Sequence, residues 1–366
     1  MIFLPHVRLG TCIALELAVA AGAVGGVWLG VGRVLDDAGG YLSTHEAAAA
    51  AAPARVPLGL PAAQLYIAAP AAPPTVFDAP DDVLLAPLGA APVAHVKVNH
   101  GGTSLSLRVE FANGARAAFK PQQIHPQSDP RKEIAAYRID RLLGIGHVAP
   151  AMPIALPLDQ VIAASDESAR AYTVGRINDE AITHDGIVRG ELSWWIPEIR
   201  DVTFGPYRVD ETAGIDLWTS YLQHDAKIPN ELEPMLAQLA TCVVFDVLID
   251  NADRWTGNNT KGSVDRKTLY FMDNTLSFSQ FTLGHETNLT PLYKIEVFPR
   301  GLIRRLRGLT AEAVTAALDL GDDPAKMAPL LEPGEVRALI ARRDHLLRYI
   351  DALIAQYGEA AVLALP

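Results

Sequence analysis

Phe245-Asp246-Val247-Leu248-Ile249-Asp250-Asn251-Ala252-Asp253-Arg254-Trp255-Thr256-Gly257-Asn258-Asn259 opens as apolar chain and closes as a polar loop. The apolar part extends back to Leu236, and a run of that length reads as a buried helix. The loop holds acids, an arginine, a glycine and two adjacent amides. Downstream, Tyr270-Phe271-Met272-Asp273-Asn274 reads as a strand, Leu269–Met272, that delivers another acid into a second loop. Two acids and an amide held by rigid apolar elements suit a divalent cation and a phosphate group. Mg²⁺ takes carboxylate and other oxygen ligands and keeps several waters.

Working outward, Ala94–His100 and Leu105–Phe111 alternate apolar and polar residues, as half-buried strands do. His100-Gly101-Gly102-Thr103 separates them as a turn, and Asn113-Gly114 is a hairpin signal. A third strand, Arg116 to Lys120, ends at Pro121. Arg131–Leu143 has helical spacing and closes on Gly144. Val161–Ala164 and Ala171–Val174 suggest two further strands. From Trp218 onward helical patterns dominate, ending in the amphipathic Val336–Tyr357. A strand-rich front followed by a helix-rich back predicts a two-lobed α+β fold.

The spacing Asp253-x-x-x-x-Asn258 is the offset at which kinases place a catalytic Asp and a metal-binding Asn. Asp273, on a strand after that loop, stands where kinases keep a second metal-binding Asp. Lys120 ends a strand as a phosphate-binding lysine does, and Glu133 on the next helix stands as its ion-pair partner. Gly101, Gly102 and Thr103 form a candidate phosphate-covering turn, although a Gly-Gly turn between strands is also an ordinary hairpin. Asn259 rivals Asn258 if the loop shifts by one. Asp250 competes with Asp253, with loop shaping as its other reading, and Arg254 reads as the structural partner of a carboxylate.

This ordered set resembles the atypical kinases: the phosphoinositide lipid kinases, the HipA toxin kinases and, most closely, the Golgi casein kinase and four-jointed group. Ala118-Phe119-Lys120-Pro121-Gln122 is similar to that group's lysine segment, and Glu133 to Gly144 to its Glu-bearing helix. Gly190-Glu191-Leu192-Ser193-Trp194-Trp195-Ile196-Pro197 resembles its lobe-joining segment. The resemblance covers residues 95–357. It implies an atypical protein-kinase-like fold that transfers the γ-phosphoryl group of ATP, with Mg²⁺ or Mn²⁺, to a hydroxyl of a protein Ser/Thr or a glycan. Lys120, oriented by Glu133, would hold the ATP phosphates under the Gly101-Gly102-Thr103 turn. Asp253 would take the hydroxyl proton, and Asn258 and Asp273 would hold the metal. The chain departs from the group at Trp255, where a histidine often stands. It has no disulfides, and Asn258 is more like the lipid kinases and HipA. A pseudokinase that binds nucleotide without turnover, or an AMP transferase on the same fold, are the other readings.

Composition divides the chain. Lys and Arg number 31 against 42 Asp and Glu, a net charge of −11, and mean hydropathy is +0.15. Charged residues are sparse before residue 94 and ordinary after it. Residues 1–35 contain an apolar run from 9 to 32 that reads as a signal anchor. It would put the catalytic domain on the extracytoplasmic side, as in a single-pass membrane protein. Against this, Glu16 would cost about 2.5–3.5 kcal/mol at a helix centre, Arg33 opposes the charge bias, and Ala and Gly are abundant. A cleaved signal sequence, or a soluble apolar helix in a cytoplasmic protein, are the alternatives. Residues 36–93 are an Ala/Pro-rich linker, since proline removes donors and fixes φ, with Val83-Leu84-Leu85 able to dock on the domain behind. Residues 94–357 form the catalytic domain, with an N-lobe at 94–190 and a C-lobe at 191–357. The acidic balance excludes a non-specific nucleic-acid binder. Two cysteines, Cys12 and Cys242, exclude a disulfide framework, and the histidine spacings offer no zinc site.

Overall fold

The computed structural model describes residues 75–99, 102–256 and 259–366. The expected anchor at 9–32, the linker as far as residue 74, Gly101 and Asn258 lie outside the described residues. Among the described residues no helix is long and apolar enough to cross a membrane.

The front half is α1 (Asp81–Leu85), β1 (Val93–Val98), β2 (Leu107–Phe111), β3 (Arg116–Pro121), α2 (Pro130–Leu142), β4 (Ala151–Pro157), α3 (Leu158–Ala163), α4 (Arg170–Glu180), β5 (Thr183–His184) and β6 (Ile187–Trp194). The strands form one antiparallel sheet in the order β1-β2-β3-β6-β4, with β5 on β6. Alternation gives the sheet two unlike faces. Val96, Val109, Ala117, Phe119 and Leu192 bury one face against Val161 of α3 and Ile177 of α4. The other face carries Lys120 opposite Glu191 in the β3–β6 register.

Three expectations change here. Val161–Ala164 and Ala171–Val174 are helical, in α3 and α4. A four-residue apolar run cannot by itself separate a strand from a turn of buried helix. The i, i+4 pair of buried Thr173 and Ile177 is the helical signal that the short windows missed. Secondly, β6 runs across residue 190 and pairs with β3 and β4 through Ser193, so the front sheet continues past the expected lobe boundary. Thirdly, the end of the expected linker is docked structure. Phe77 and Leu88 are buried, and Phe77 stacks on Tyr270 at 5.9 Å. Asp81 accepts from Arg141 Nε at 2.7 Å and from the Tyr137 hydroxyl at 3.0 Å. Of the patch expected to dock, Leu85 packs against the core of the sheet, whereas Val83 is exposed.

The back half contains the short strands β7 (Arg200–Asp201), β8 (Thr203–Phe204) and β9 (Tyr207–Arg208), and the helices α5 (Thr212–Ser220) and α6 (Glu233–Ile249). Then come β10 (Lys261–Gly262), β11 (Leu269–Tyr270), α7 (Glu286–Leu292), α8 (Arg300–Arg307), α9 (Ala311–Leu318), α10 (Pro333–Tyr357) and α11 (Glu359–Val362). The C-terminal half of helix α6 has no polar face and sits in the core, its one charged residue, Asp246, being paired with Arg254; every residue from Cys242 to Ile249 is buried. Its core takes in Ile134, Ala135 and Ile139 of α2, so the Glu-bearing helix packs on the helical half. Of the four arginines of α8, Arg300 pairs with Glu359 at 2.9 Å, Arg307 with Asp351, and Arg305 donates to the carbonyl of Leu143.

Asp140 fixes the path from α2 to β4. Its fully buried carboxylate accepts from the backbone N–H of Gly146 and His147, each at 2.9 Å, and of Val148 at 3.1 Å. Arg141 lies against it. Asp140→Ala would leave three buried donors and a partly buried guanidinium short of an acceptor, and should cost about 3 kcal/mol. Urea unfolding followed by circular dichroism measures this as a lower midpoint at unchanged slope.

Candidate active site

Lys120 reaches out from the end of β3 with its stem buried, 13% of the side chain remaining exposed. Its Nζ lies 2.8 Å from Asp273 Oδ1 and 3.3 Å from Glu133 Oε2. Burial works against the ammonium charge, but the carboxylates of Asp273, Glu133 and Glu191 outweigh it and hold the lysine above its usual range. Glu133, in the first turn of α2, is itself fixed. Its two oxygens accept from the backbone N–H of Asn274 at 2.8 Å and from Asn274 Nδ2 at 2.9 Å.

Asp273 has a left-handed backbone, φ 55°, which Asp tolerates better than most residues. That kink ends the apolar segment sooner than expected: β11 stops at Tyr270, and the chain turns at Asp273. The Asp273 side chain is 48% exposed. The Lys120 ammonium holds its carboxyl below the usual carboxylate range, against the opposing effect of partial burial, and Thr275 Oγ1 donates to it at 3.1 Å.

Helix α6 ends at Asp250, also left-handed at φ 57°. The Asp250 carboxylate is fully buried and shapes the loop. It accepts from His285 N–H at 2.7 Å, His285 Nδ1 at 2.9 Å, Asn288 Nδ2 at 3.1 Å and the Ser279 hydroxyl. Asn251 then bridges the two acid-bearing loops, donating to the Asp273 carbonyl at 3.1 Å and accepting from Asp253 N–H at 3.2 Å. Asp253 is half-buried, and Asn259 Nδ2 donates to its carbonyl at 3.2 Å and to its carboxylate. Arg254 is fully buried, paired with Asp246 at 3.2 Å and donating to Asn274 Oδ1 at 2.9 Å. Trp255, which departs from the histidine that often stands there in the resembled group, packs against Trp218 with ring centroids 5.7 Å apart.

Lys120, Glu133 and Asp273 thus meet directly, and Asp253 joins them through Asn251. Gly102 and Thr103 do not join the carboxylates. Both are exposed, and the Thr103 carbonyl accepts from Arg176 of α4 at 3.3 Å. The base of their turn is nevertheless tied to the end of β3, because Gln123 exchanges hydrogen bonds with the backbone of Leu105 at 2.8 and 3.0 Å.

Sequence reasoning quoted Glu191, Asn274 and Asn251 within its motifs but gave them no role in the site. Glu191 is fully buried beside Lys120, and its Oε1 has no partner among the described residues. Burial pushes its carboxyl well above the usual range, with the nearby Glu133 carboxylate adding to the effect.

The donor set fits a divalent cation bound together with phosphates. Among the described residues no three His, Cys, Asp or Glu side chains form a cage of their own. Mg²⁺ sites in phosphotransferases use one or two carboxylates and complete the shell with substrate oxygens and water. The half-exposed Asp273 carboxylate and the neighbouring Asp253 are of that kind.

Glu191 gives a pH test. Its folded pKa is raised, so its favourable contribution is complete below the unfolded value, about 4.3, and is lost as pH rises through the folded value. Glu191→Gln keeps the neutral form at all pH. Its melting temperature should exceed that of the parent at pH 7, and the two should converge below about pH 4.3. Differential scanning fluorimetry across pH 4–8 tests both ends.

Comparison with known proteins agrees with this geometry. Residues 176–362, just over half of the 366, match the family described as Fam20C: Golgi casein kinase, C-terminal, Fam20. The chain is 25% identical over 302 residues to the glycosaminoglycan xylosylkinase of Homo sapiens, covering 73% of each chain. It is 24% identical over 324 residues to that of Danio rerio, covering 78% of this chain and 79% of the relative. Among solved structures it is similar to the Golgi casein kinase with Mn/ADP bound, with a TM-score of 0.61 at 17% identity over 77% of this chain and 78% of that one. It is also similar to hydra Fam20 with sugar, with a TM-score of 0.62 at 18% identity over 78% and 93%. The two-lobed α+β architecture is therefore that of the Fam20 kinases, and the chain belongs to the Fam20C Golgi casein kinase family as an atypical kinase.

Proposed function

We propose that this protein transfers the γ-phosphoryl group of ATP to a hydroxyl of a glycan or a protein, with Mg²⁺ or Mn²⁺ as its metal. The observation that carries the reading is the ionic cluster of Lys120, Glu133 and Asp273, which joins residues 153 positions apart in the chain. Lys120 neutralises phosphate charge, and Glu133 holds its ammonium in place. Asp273 binds the cation, with Asn258 as the expected second ligand and Asn259 as the residue that fixes Asp253. The cation supplies charge neutralisation across the phosphates. Asp253 accepts the acceptor's proton as the acceptor oxygen bonds to the γ-phosphorus and the bond to the β–γ bridging oxygen breaks. ADP leaves.

The names of the relatives support both acceptor classes. The glycan class has the sequence likeness to the xylosylkinases behind it, and the protein class the family description. The proposal keeps residues 9–32 as a membrane anchor with the catalytic domain outside the cytoplasm. What supports it is the apolar run behind Arg8 and the Ala/Pro-rich stretch that follows.

Incubation with ATP, Mn²⁺ and a panel of saccharide and peptide hydroxyl acceptors, read by mass spectrometry, tests the reaction. The expected gain is one phosphate; a gain of AMP, or none, favours the other readings. Asp253→Ala should lower kcat by about a hundred- to ten-thousandfold. Asp273→Ala should also abolish the thermal stabilisation by ATP and Mn²⁺. If either variant worked at the parent rate, the assignment would be wrong.

A further inference from the structure

Beside the carboxylate cluster the sheet continues into a second, unassigned site. The Gln122 N–H donates to the Arg189 carbonyl at 2.7 Å, two residues along from the Lys120–Glu191 pair. Side chains two residues apart on a strand share a face, about 7 Å apart. Gln122 and Arg189 therefore extend the face that carries Lys120 and Glu191. Asp322, Asp323 and Lys326 approach them from the connection between α9 and α10, and together with His184 they line a cavity of about 500 Å³. That volume is in the range of small-ligand sites.

Two of these polar groups are already engaged. Asp323 Oδ1 accepts from Ala325 N–H at 2.8 Å, and Lys326 Nζ donates to the Gly321 carbonyl at 2.6 Å. Arg189 is different. It is half-buried, yet among the described residues its guanidinium has neither a hydrogen bond nor an ion pair, while Asp322 across from it is exposed to solvent. A half-buried guanidinium left unpaired is matched by a planar anion, which it can grip through two parallel N–H bonds. The flanking Asp322 and Asp323 disfavour a ligand carrying many negative charges. They suit hydroxyls, each of which can donate to a carboxylate and accept from an amide or ammonium.

Resting on the phosphotransferase reading, we propose that this cavity is the acceptor subsite and takes an acidic saccharide. Arg189 binds a uronate-type carboxylate, and Asp322 and Gln122 bind ring hydroxyls. Arg189 is then the residue that sets acceptor specificity, while Lys120 and Asp273 handle the nucleotide.

Calorimetric titration of the full-length protein, first with ADP and Mn²⁺ and then with two sugars, tests this. The sugars are aldobiouronic acid, a xylose carrying a uronic acid, and neutral xylobiose. The acidic sugar should bind at least tenfold more tightly. Arg189→Gln should erase that preference while leaving xylobiose and ADP affinities within twofold of the parent. Asp322→Asn should weaken both sugars, with unchanged melting temperatures showing that the variants fold. Equal affinity for the two sugars in the parent, or binding of neither, overturns the proposal. So does loss of ADP affinity in Arg189→Gln with sugar binding intact, which would assign the guanidinium to nucleotide phosphates. Failure of the parent to bind ADP with Mn²⁺ in the first titration would instead sink the phosphotransferase reading, so the two failures are distinguishable.

Discussion

The guanidinium of Arg254 is the hub on which the site depends. It is fully buried, and its donors reach four places: the Asp246 carboxylate inside α6, the Asn259 carbonyl at 3.1 Å, the Met272 carbonyl and the Asn274 amide oxygen. Those contacts join the helix that ends at Asp250, the loop that carries Asp253 and the segment that carries Asp273. Burying an ion pair is a weak source of net stability, because desolvation offsets most of the attraction. Its effect here is geometric. With one partner missing, the other charge would be stranded in the core at a cost of several kcal/mol, so the loops cannot drift apart without exposing it. Burial raises the Asp246 carboxyl above its usual range, and Arg254 pulls it back.

A second set of contacts fixes the glutamate. Helix α2 carries Glu133 and is fastened to the helical half along its length. Lys132 pairs with Glu335 of α10, Arg131 donates to the Pro329 carbonyl at 3.0 Å, and Arg138 donates to the carbonyls of Ala317 and Asp319 at 2.9 and 3.0 Å. Many of these bonds end on backbone carbonyls. The Lys120–Glu133 pair is thus held in place by contacts within the chain itself. Such preorganisation is what positioning catalysis requires.

What the sequence revealed, and what it hid, follows from the range of the interactions. Lys120, Glu133, Asp253 and Asp273 were legible because their order and local settings, a strand end, a helix start and two loops, are written in consecutive residues. Glu191 was not, since its meaning comes from the register that sets it opposite Lys120. In the sequence Asn274 stood only as the neighbour of Asp273. Only the folded chain shows it bonded to Glu133, 141 positions away. Helices α3 and α4 were hidden by windows too short to show a period of 3.6. The docked segment around Phe77 was hidden by prolines that say nothing about what an aromatic residue between them will touch.

The left-handed backbone in the site has a consequence for how this protein could change over time. Asp250, Asp273 and Phe278 all adopt positive φ, at 57°, 55° and 60°. For Phe278 that conformation costs about 1–2 kcal/mol and is held by burial in the core. Asp and Asn, by contrast, visit it readily. At position 273 an amide would therefore satisfy the backbone as well as the acid does, while removing the charge that faces Lys120. Chemistry and architecture are separable at this residue. With Asp273 in its proposed metal-binding role, a descendant of this chain could fall silent as an enzyme and keep its shape, available to be reused as a scaffold.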